Sequence, residues 1–297
     1  MIKRREFIKL SGAALMAGAA PAFATQRSPL PTRPVPGSSD SLAIIGLGNS
    51  AAFRSGDEPV ARALLDLFVE HGGNYGDVGG SSATFVGGVA ADMGATEQLF
   101  LGNYIDPDEP GAMRDMARSL ARAQGKEALD LVHTRDVGGF RKTHDVYRGL
   151  KEDGLVRNIG IARTGDAGIQ SEIASIVESG LVDFIQVNYS MLEPNAGDRL
   201  LPMARDKGVA VAISRPFING NYFRLVSGHE LPAWASEFDC ATWAQFSLKF
   251  ILANPAVNCV LTETANPKHA LDNLGAGFGR LPDADMRKRM AEHLLSL

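Results

Sequence analysis

Residues 158–188 read NIGIARTGDAGIQSEIASIVESGLVDFIQVN. Two short apolar runs, 158–162 and 184–188, flank a segment of helical periodicity at 168–179. Continuous short apolar runs are the pattern of parallel strands buried on both faces. The same unit recurs outward in both directions. Further strand candidates are 42–46, 74–77, 99–103, 129–133, 209–213 and 257–261. Further helix candidates are 59–71, 84–93, 112–124, 143–153, 196–207, 242–253 and 267–276, and a last amphipathic helix follows at 283–295. Eight strand–helix units in about 250 residues predict an α/β fold, one single-domain (β/α)8 barrel. The competing architecture, a doubly wound sheet, expects G-x-G-x-x-G after its first strand. Gly46-Leu47-Gly48 is followed by Asn49-Ser50-Ala51 and a long loop, so that fingerprint is missing.

Composition narrows the classes. The 297 residues are 45% hydrophobic and 22% charged, which excludes a disordered or collagen-like chain. A formal charge of −4 offers no electrostatic argument for nucleic acid. No uncharged apolar run reaches the roughly 18 residues of a membrane span. Two cysteines, Cys240 and Cys259, are too few for a disulfide framework or a four-Cys zinc site. They are expected in the core. The six histidines are scattered without metal-ligand spacing, so no metal is expected.

The N-terminus reads as an address. Lys3, Arg4 and Arg5 precede a mild apolar stretch at 10–20 that ends in Ala22-Phe23-Ala24, a small-x-small cleavage pattern. Residues 1–24 therefore resemble a twin-arginine signal peptide, implying export through that machinery, already folded, to the periplasm. Cleavage would move the formal charge from −4 to −7. Residues 25–41 hold Pro29, Pro31, Pro34 and Pro36 and read as a stiff linker that does not pack. The barrel is expected over 42–297.

In such a barrel, chemistry belongs at the C-terminal strand ends. Those ends carry Gly48-Asn49, Asp77, Asn103-Tyr104, His133 through Asp136, Arg163-Thr164, Gln186 with Asn188-Tyr189, Ser214 through Phe217, and Glu263-Thr264. Titratable and amide groups gather there above apolar strand bodies. Arg163 and Arg215 are cations suited to an anionic substrate or a phosphate, and Arg135 with Asp136 is expected as an ion pair at the rim.

Four segments carry a family resemblance: 183–190 (DFIQVNYS), 200–204 continuing to Arg215-Pro216-Phe217, Trp243-Ala244-Gln245 with Leu248-Lys249-Phe250, and 266–269 (NPKH) continuing to Asp272-Asn273-Leu274. Together they resemble the aldo/keto reductases, in particular an exported bacterial branch, over about residues 42–290. The resemblance implies an NADP(H)-dependent barrel that reduces aldehydes and ketones with a Tyr acid supported by Lys, Asp and His. Hydride addition turns a carbonyl into an alkoxide, so a proton must reach its oxygen. A free Tyr titrates near 10 and needs a neighbouring cation to lower it.

Carried over by position, the family's Asp falls on Asp77 and its His on His133. The Tyr position falls on Ser82 and the Lys position on Tyr104, with Asn103 one residue before. The acid and the cation that tunes it are thus both replaced, and Tyr104 is the phenol that can stand in. On the cofactor side, Gln186 matches a nicotinamide contact, the usual Ser-Asn pair becomes Ala162-Arg163, and the stacking Tyr becomes Ser214. Arg215, Pro216 and Phe217 follow Ser214 in the cofactor set, and Gly220 and Asn221 fall along the pyrophosphate. Thr264, Ala265, Asn266, Lys268, His269, Asp272 and Asn273 fall at the adenine end. Three readings follow: an NADP(H)-dependent reductase of a small carbonyl compound with an altered acid/base set, a catalytically inactive exported barrel that binds a ligand or serves as a scaffold, and a lyase or isomerase using Asp77 and His133.

Overall fold

The computed structural model describes residues 28–297. The export signal expected at 1–24 lies outside the described residues. Eight parallel strands close into a barrel: β3 (Ile45–Leu47), β4 (Tyr75–Asp77), β5 (Phe100–Tyr104), β6 (Leu129–Thr134), β7 (Val156–Ala162), β8 (Phe184–Asn188), β9 (Ala210–Ser214) and β10 (Cys259–Thr262), with β10 pairing back to β3. The expected (β/α)8 architecture is the observed one. Two further strands precede the barrel, β1 (Thr32–Pro34) and β2 (Ser41–Ala43), paired antiparallel with Thr32 opposite Ala43.

That hairpin corrects the expected linker. Residues 25–41 do not hang free where the structure describes them, because their apolar side chains are needed in the core. Leu30 and Val35 are buried, and Val35 joins Leu42 in the barrel interior. Arg33 donates to the carbonyls of Leu252 (2.7 Å), Asn254 (3.4 Å) and Val257, beside the end of the helix α9 described below. The strand expected at 42–46 is accordingly split between β2 and β3.

Helices alternate with the strands: α1 (Ala51–Ser55), α2 (Glu58–Glu70), α3 (Ser81–Asp92), α4 (Pro110–Ala123), α5 (Val137–Glu152), α6 (Ala167–Glu178), α7 (Leu200–Asp206), α8 (Asn221–Leu225), α9 (Trp243–Leu252), α10 (Pro267–Gly275) and α11 (Ala284–Leu295). Asp57, Asp136, Asp166, Thr242, Asn266 and Asp283 start six of them by accepting backbone N–H bonds, each worth about 1 kcal/mol. Asp136 is spent on this cap, so the expected Arg135–Asp136 ion pair does not form.

Strand parity decides what faces the barrel axis. In β5, Phe100 packs inward with Tyr75, Leu131, Phe184 and Leu261, whereas Leu101 joins the larger cluster beneath the helices. The same parity turns Tyr104, four residues beyond Phe100, inward and Asn103, two beyond Leu101, outward. The interior is thus apolar low in the barrel and polar at the C-terminal end, where Asp77, Tyr104, His133 and Gln186 meet. Among the described residues, no helix is long and apolar enough to cross a membrane, and no cluster of three or more His, Cys, Asp or Glu is placed to hold a metal ion.

Candidate active site

Asp77 ends β4 and is buried. Its Oδ2 accepts from the Tyr104 hydroxyl at 3.2 Å and from Gln186 Nε2 at 3.1 Å. Gln186 Nε2 also donates to Tyr104 Oη at 3.2 Å, closing a three-membered ring of contacts. The Arg135 guanidinium lies over the Tyr104 ring, 3.7 Å from its centroid. These four residues come from the ends of β4, β5, β6 and β8, and only barrel closure brings them together.

Burial dominates the electrostatics. Removal from water pushes the Asp77 carboxyl up to about 6, although its bonds from Gln186 and Tyr104 and the charge of Arg135 pull it down. Burial likewise pushes the Tyr104 phenol well above its ordinary value, aided by the Asp77 charge and opposed by Arg135. Tyr104 therefore holds its proton firmly and shares it with a carboxylate.

His133 departs from expectation. It is fully buried, its ring lies 5.6 Å from that of Tyr104, and burial with the Arg135 charge drives it down to about 3. An ionised Asp77 only accepts hydrogen bonds, so Gln186 must present its Nε2 there and its Oε1 to Tyr75. Tyr75 donates to that Oε1 at 3.2 Å, which leaves His133 Nε2 as the donor to Tyr75 Oη at 3.3 Å. The Nε2 proton points into the core, not at a carbonyl in the mouth. Gly102 makes room for the pair, since a Cβ there would stand 3.0 Å from Tyr75 Oη.

Asn103 is removed from the candidate catalytic set. Its Oδ1 accepts from Gln124 Nε2 at 2.6 Å on the outer, helix-facing side of β5. Ser82 sits in the first turn of α3 with its hydroxyl buried and unpartnered, and it bonds to none of the Asp77 group. Gln186, expected at a nicotinamide, contacts Asp77, Tyr104 and Tyr75. Tyr75 went unnoticed in the sequence because it sits between Asn74 and Gly76 in a three-residue strand, with no signal apart from its position two before Asp77.

A second region lies beside the first. Phe217, Thr264, His269, Asp272 and Asn273 line one cleft of about 390 Å³ with Phe223, Trp243 and Glu263. Asp272 is held by Thr242 Oγ1 (3.0 Å) and Gln245 Nε2 (2.8 Å). Asn266 caps α10 by accepting from Lys268 N, and Thr264 Oγ1 accepts from Asn266 N, so the loop carrying Ala265 is pinned at both sides. Ser214 ends β9, and the next residue, Arg215, has φ 56° and pairs with Glu193 at 3.4 Å, away from that cleft. Pro216 offers its carbonyl to Ser247 at 2.9 Å, and Gly220 (φ 86°) starts α8. Glu193 and Phe223 were not singled out from sequence.

Seven buried side-chain polar atoms lack a partner among the described residues. Six belong to residues at the C-terminal end: Asn49 Oδ1, Asp77 Oδ1, Ser82 Oγ, His133 Nδ1, Ser214 Oγ and Arg215 Nε. Unpaired buried polar groups are costly unless a ligand or water completes them, so their concentration here fits a bound polar molecule.

A model of the aldo/keto reductase family matches residues 44–293. The chain is 25% identical over 219 residues to the NADH-specific methylglyoxal reductase of Escherichia coli (strain K12), spanning 62% of this chain and 66% of that protein. Its fold is similar to aldo-keto reductase AKR11C1 from Bacillus halodurans in its holo form, with TM-score 0.72, 19% identity, and coverage of 89% and 96% of the two chains. It is also similar to an aldo/keto reductase from Klebsiella pneumoniae in complex with NADP and acetate, with TM-score 0.70, 18% identity, and coverage of 91% and 96%. With the family match extending over nearly the whole barrel, from its first strand to its last helix, the chain belongs to the aldo/keto reductase family.

Proposed function

We propose that this protein is an exported, NADP(H)-dependent reductase of small carbonyl compounds in which Tyr104 and Asp77 replace the family's usual proton-handling set. The observation that carries this reading is the Tyr104 hydroxyl, 3.2 Å from the Asp77 carboxylate and beneath the Arg135 guanidinium at the barrel mouth. The unpartnered polar atoms of Ser214 and Arg215, and the cleft between Phe217 and His269, fit the nicotinamide cofactor. That cofactor supplies hydride when bound. Phe217, Thr264, His269 and Asn273 would hold its adenine end. The twin-arginine signal supports export after folding, a route that suits a tightly held nucleotide.

The chain's own residues handle the proton. A carbonyl oxygen that becomes an alkoxide is basic enough to take the firmly held Tyr104 proton. Arg135 stabilises the resulting phenolate through its face, and protonated Asp77 returns a proton to it. With Asp77 near 6, reduction is expected to quicken as pH falls through that value. Tyr75, Gln186 and His133 hold this pair in position.

Fluorescence titration with NADPH and NADH, followed by a carbonyl panel that includes methylglyoxal, tests the reading. Tight NADPH binding with turnover that falls ~10²–10⁴-fold in Tyr104→Phe is the expected result. The strong upward push on the Tyr104 phenol favours a second reading, a binding barrel without turnover. Ligand binding with no hydride transfer to any carbonyl would establish that one instead.

A further inference from the structure

The molecule pairs most of its arginines. Arg54, Arg114, Arg157, Arg215 and Arg280 each meet a carboxylate. Arg135 and Arg163 do not: among the described residues neither guanidinium makes an ion pair or a side-chain hydrogen bond. Both line one open cleft of about 410 Å³ at the barrel mouth. They stand at the ends of adjacent strands, β6 and β7. Arg135 covers the Tyr104 ring, and Arg163 donates its backbone N–H to the Gln186 carbonyl at 2.9 Å. Arg135 thus touches Tyr104 through its guanidinium and Arg163 is joined to Gln186 through its backbone, and those are the two residues that contact Asp77.

Three carboxylates share this cleft. Asp106 is turned to the Thr134 hydroxyl (2.9 Å) and the Arg135 backbone N–H (3.2 Å), and Asp136 caps α5 through Gly139 N (2.8 Å). Glu172, on α6, is left uncommitted. With two guanidiniums and three carboxylates the lining is formally −1, so the two unpaired forks take a single carboxylate by direct hydrogen bonds and the surrounding negative charge opposes a second.

We infer that Arg135 and Arg163 form a carboxylate subsite, and that the substrate is a monoanionic carbonyl compound whose carboxylate lies within a few carbons of the carbonyl. The planar fork of a guanidinium matches a carboxylate with two parallel hydrogen bonds. A carboxylate held by Arg135, whose guanidinium covers the Tyr104 ring, brings a carbonyl a few carbons away toward the Tyr104 hydroxyl that Asp77 holds. The inference rests on the reading of the mouth as a carbonyl site.

The test compares glyoxylate with glycolaldehyde, and succinic semialdehyde with butanal, as NADPH-dependent substrates of the native protein, Arg163→Gln and Arg163→Lys. Arg163 is exposed, so folding is not at stake. The expected result is a preference for each acid over its neutral partner, as a ratio of kcat/KM, that falls roughly ten- to hundredfold in Arg163→Gln through the KM of the acid and partly recovers in Arg163→Lys, a ratio in which any change in NADPH binding cancels. Equal use of acids and neutral aldehydes, indifferent to Arg163→Gln, overturns the subsite and leaves the reductase reading standing. If no carbonyl is turned over, calorimetric titration with glyoxylate decides separately. Binding that weakens with salt and with Arg163→Gln supports the subsite while the reductase reading fails, and absence of binding overturns the subsite too.

Discussion

Asp77 and His133 are both buried, and their proton linkages oppose each other. Folding raises Asp77 to about 6, so the native state binds its proton more tightly than the unfolded chain, and stability is lost as pH rises through roughly 4 to 6. Folding lowers His133 to about 3, so stability is lost as pH falls from about 6.5 toward 3. The two windows overlap and partly cancel in the native protein. Asp77→Asn removes only the first. Urea melts should show the variant more stable than native by roughly 1–3 kcal/mol at pH 7.5, with the gain vanishing near pH 4. A gain that persisted at pH 4 would mean that Asp77 is not raised by burial. Asp77 and Tyr104 were legible as candidates because strand ends can be read from pattern. Tyr75 was not, because a lone Tyr in a short strand gives the same signal whether it packs or bridges two polar groups.

Parity and close approach act on whole strands. One residue of register separates Tyr104, in the site, from Asn103, against Gln124 on the helix side. Sequence placed both at one strand end but could not assign the inward face, since β5 is apolar on both sides. Gly160, in β7, faces the interior where a Cβ would stand 2.6 Å from the Phe184 carbonyl and 2.9 Å from His133 Nδ1. Backbone must move to admit it. Gly160→Ala should cost about 1–3 kcal/mol in chemical denaturation and displace His133, visible as a shifted imidazole resonance. The β1–β2 hairpin is held at its base by Arg33, whose burial disfavours its charge and is offset by three backbone carbonyls. Arg33→Ala strands those carbonyls and should lower stability by about 2 kcal/mol or more, read as an earlier urea midpoint with unchanged slope.

At the scale of the molecule, the hairpin and the barrel share one core. Deleting residues 28–41 removes Leu30 and Val35 from it and exposes the apolar surface they cover. Burial of two such side chains is worth about 3–6 kcal/mol in all, so the shortened chain should melt much earlier or aggregate. Sequence by itself determined the barrel, because eight repeats of a short apolar run and a helical segment leave few ways to bury both faces of every strand. It also located the strand ends where chemistry collects. Tertiary structure alone decided that the proline-rich stretch packs, that Asn103 turns away, that His133 donates inward to Tyr75, and that Arg135 and Arg163 share one open cleft. Each of these depends on which side chains meet across strands far apart in sequence, and local periodicity carries no record of those distances.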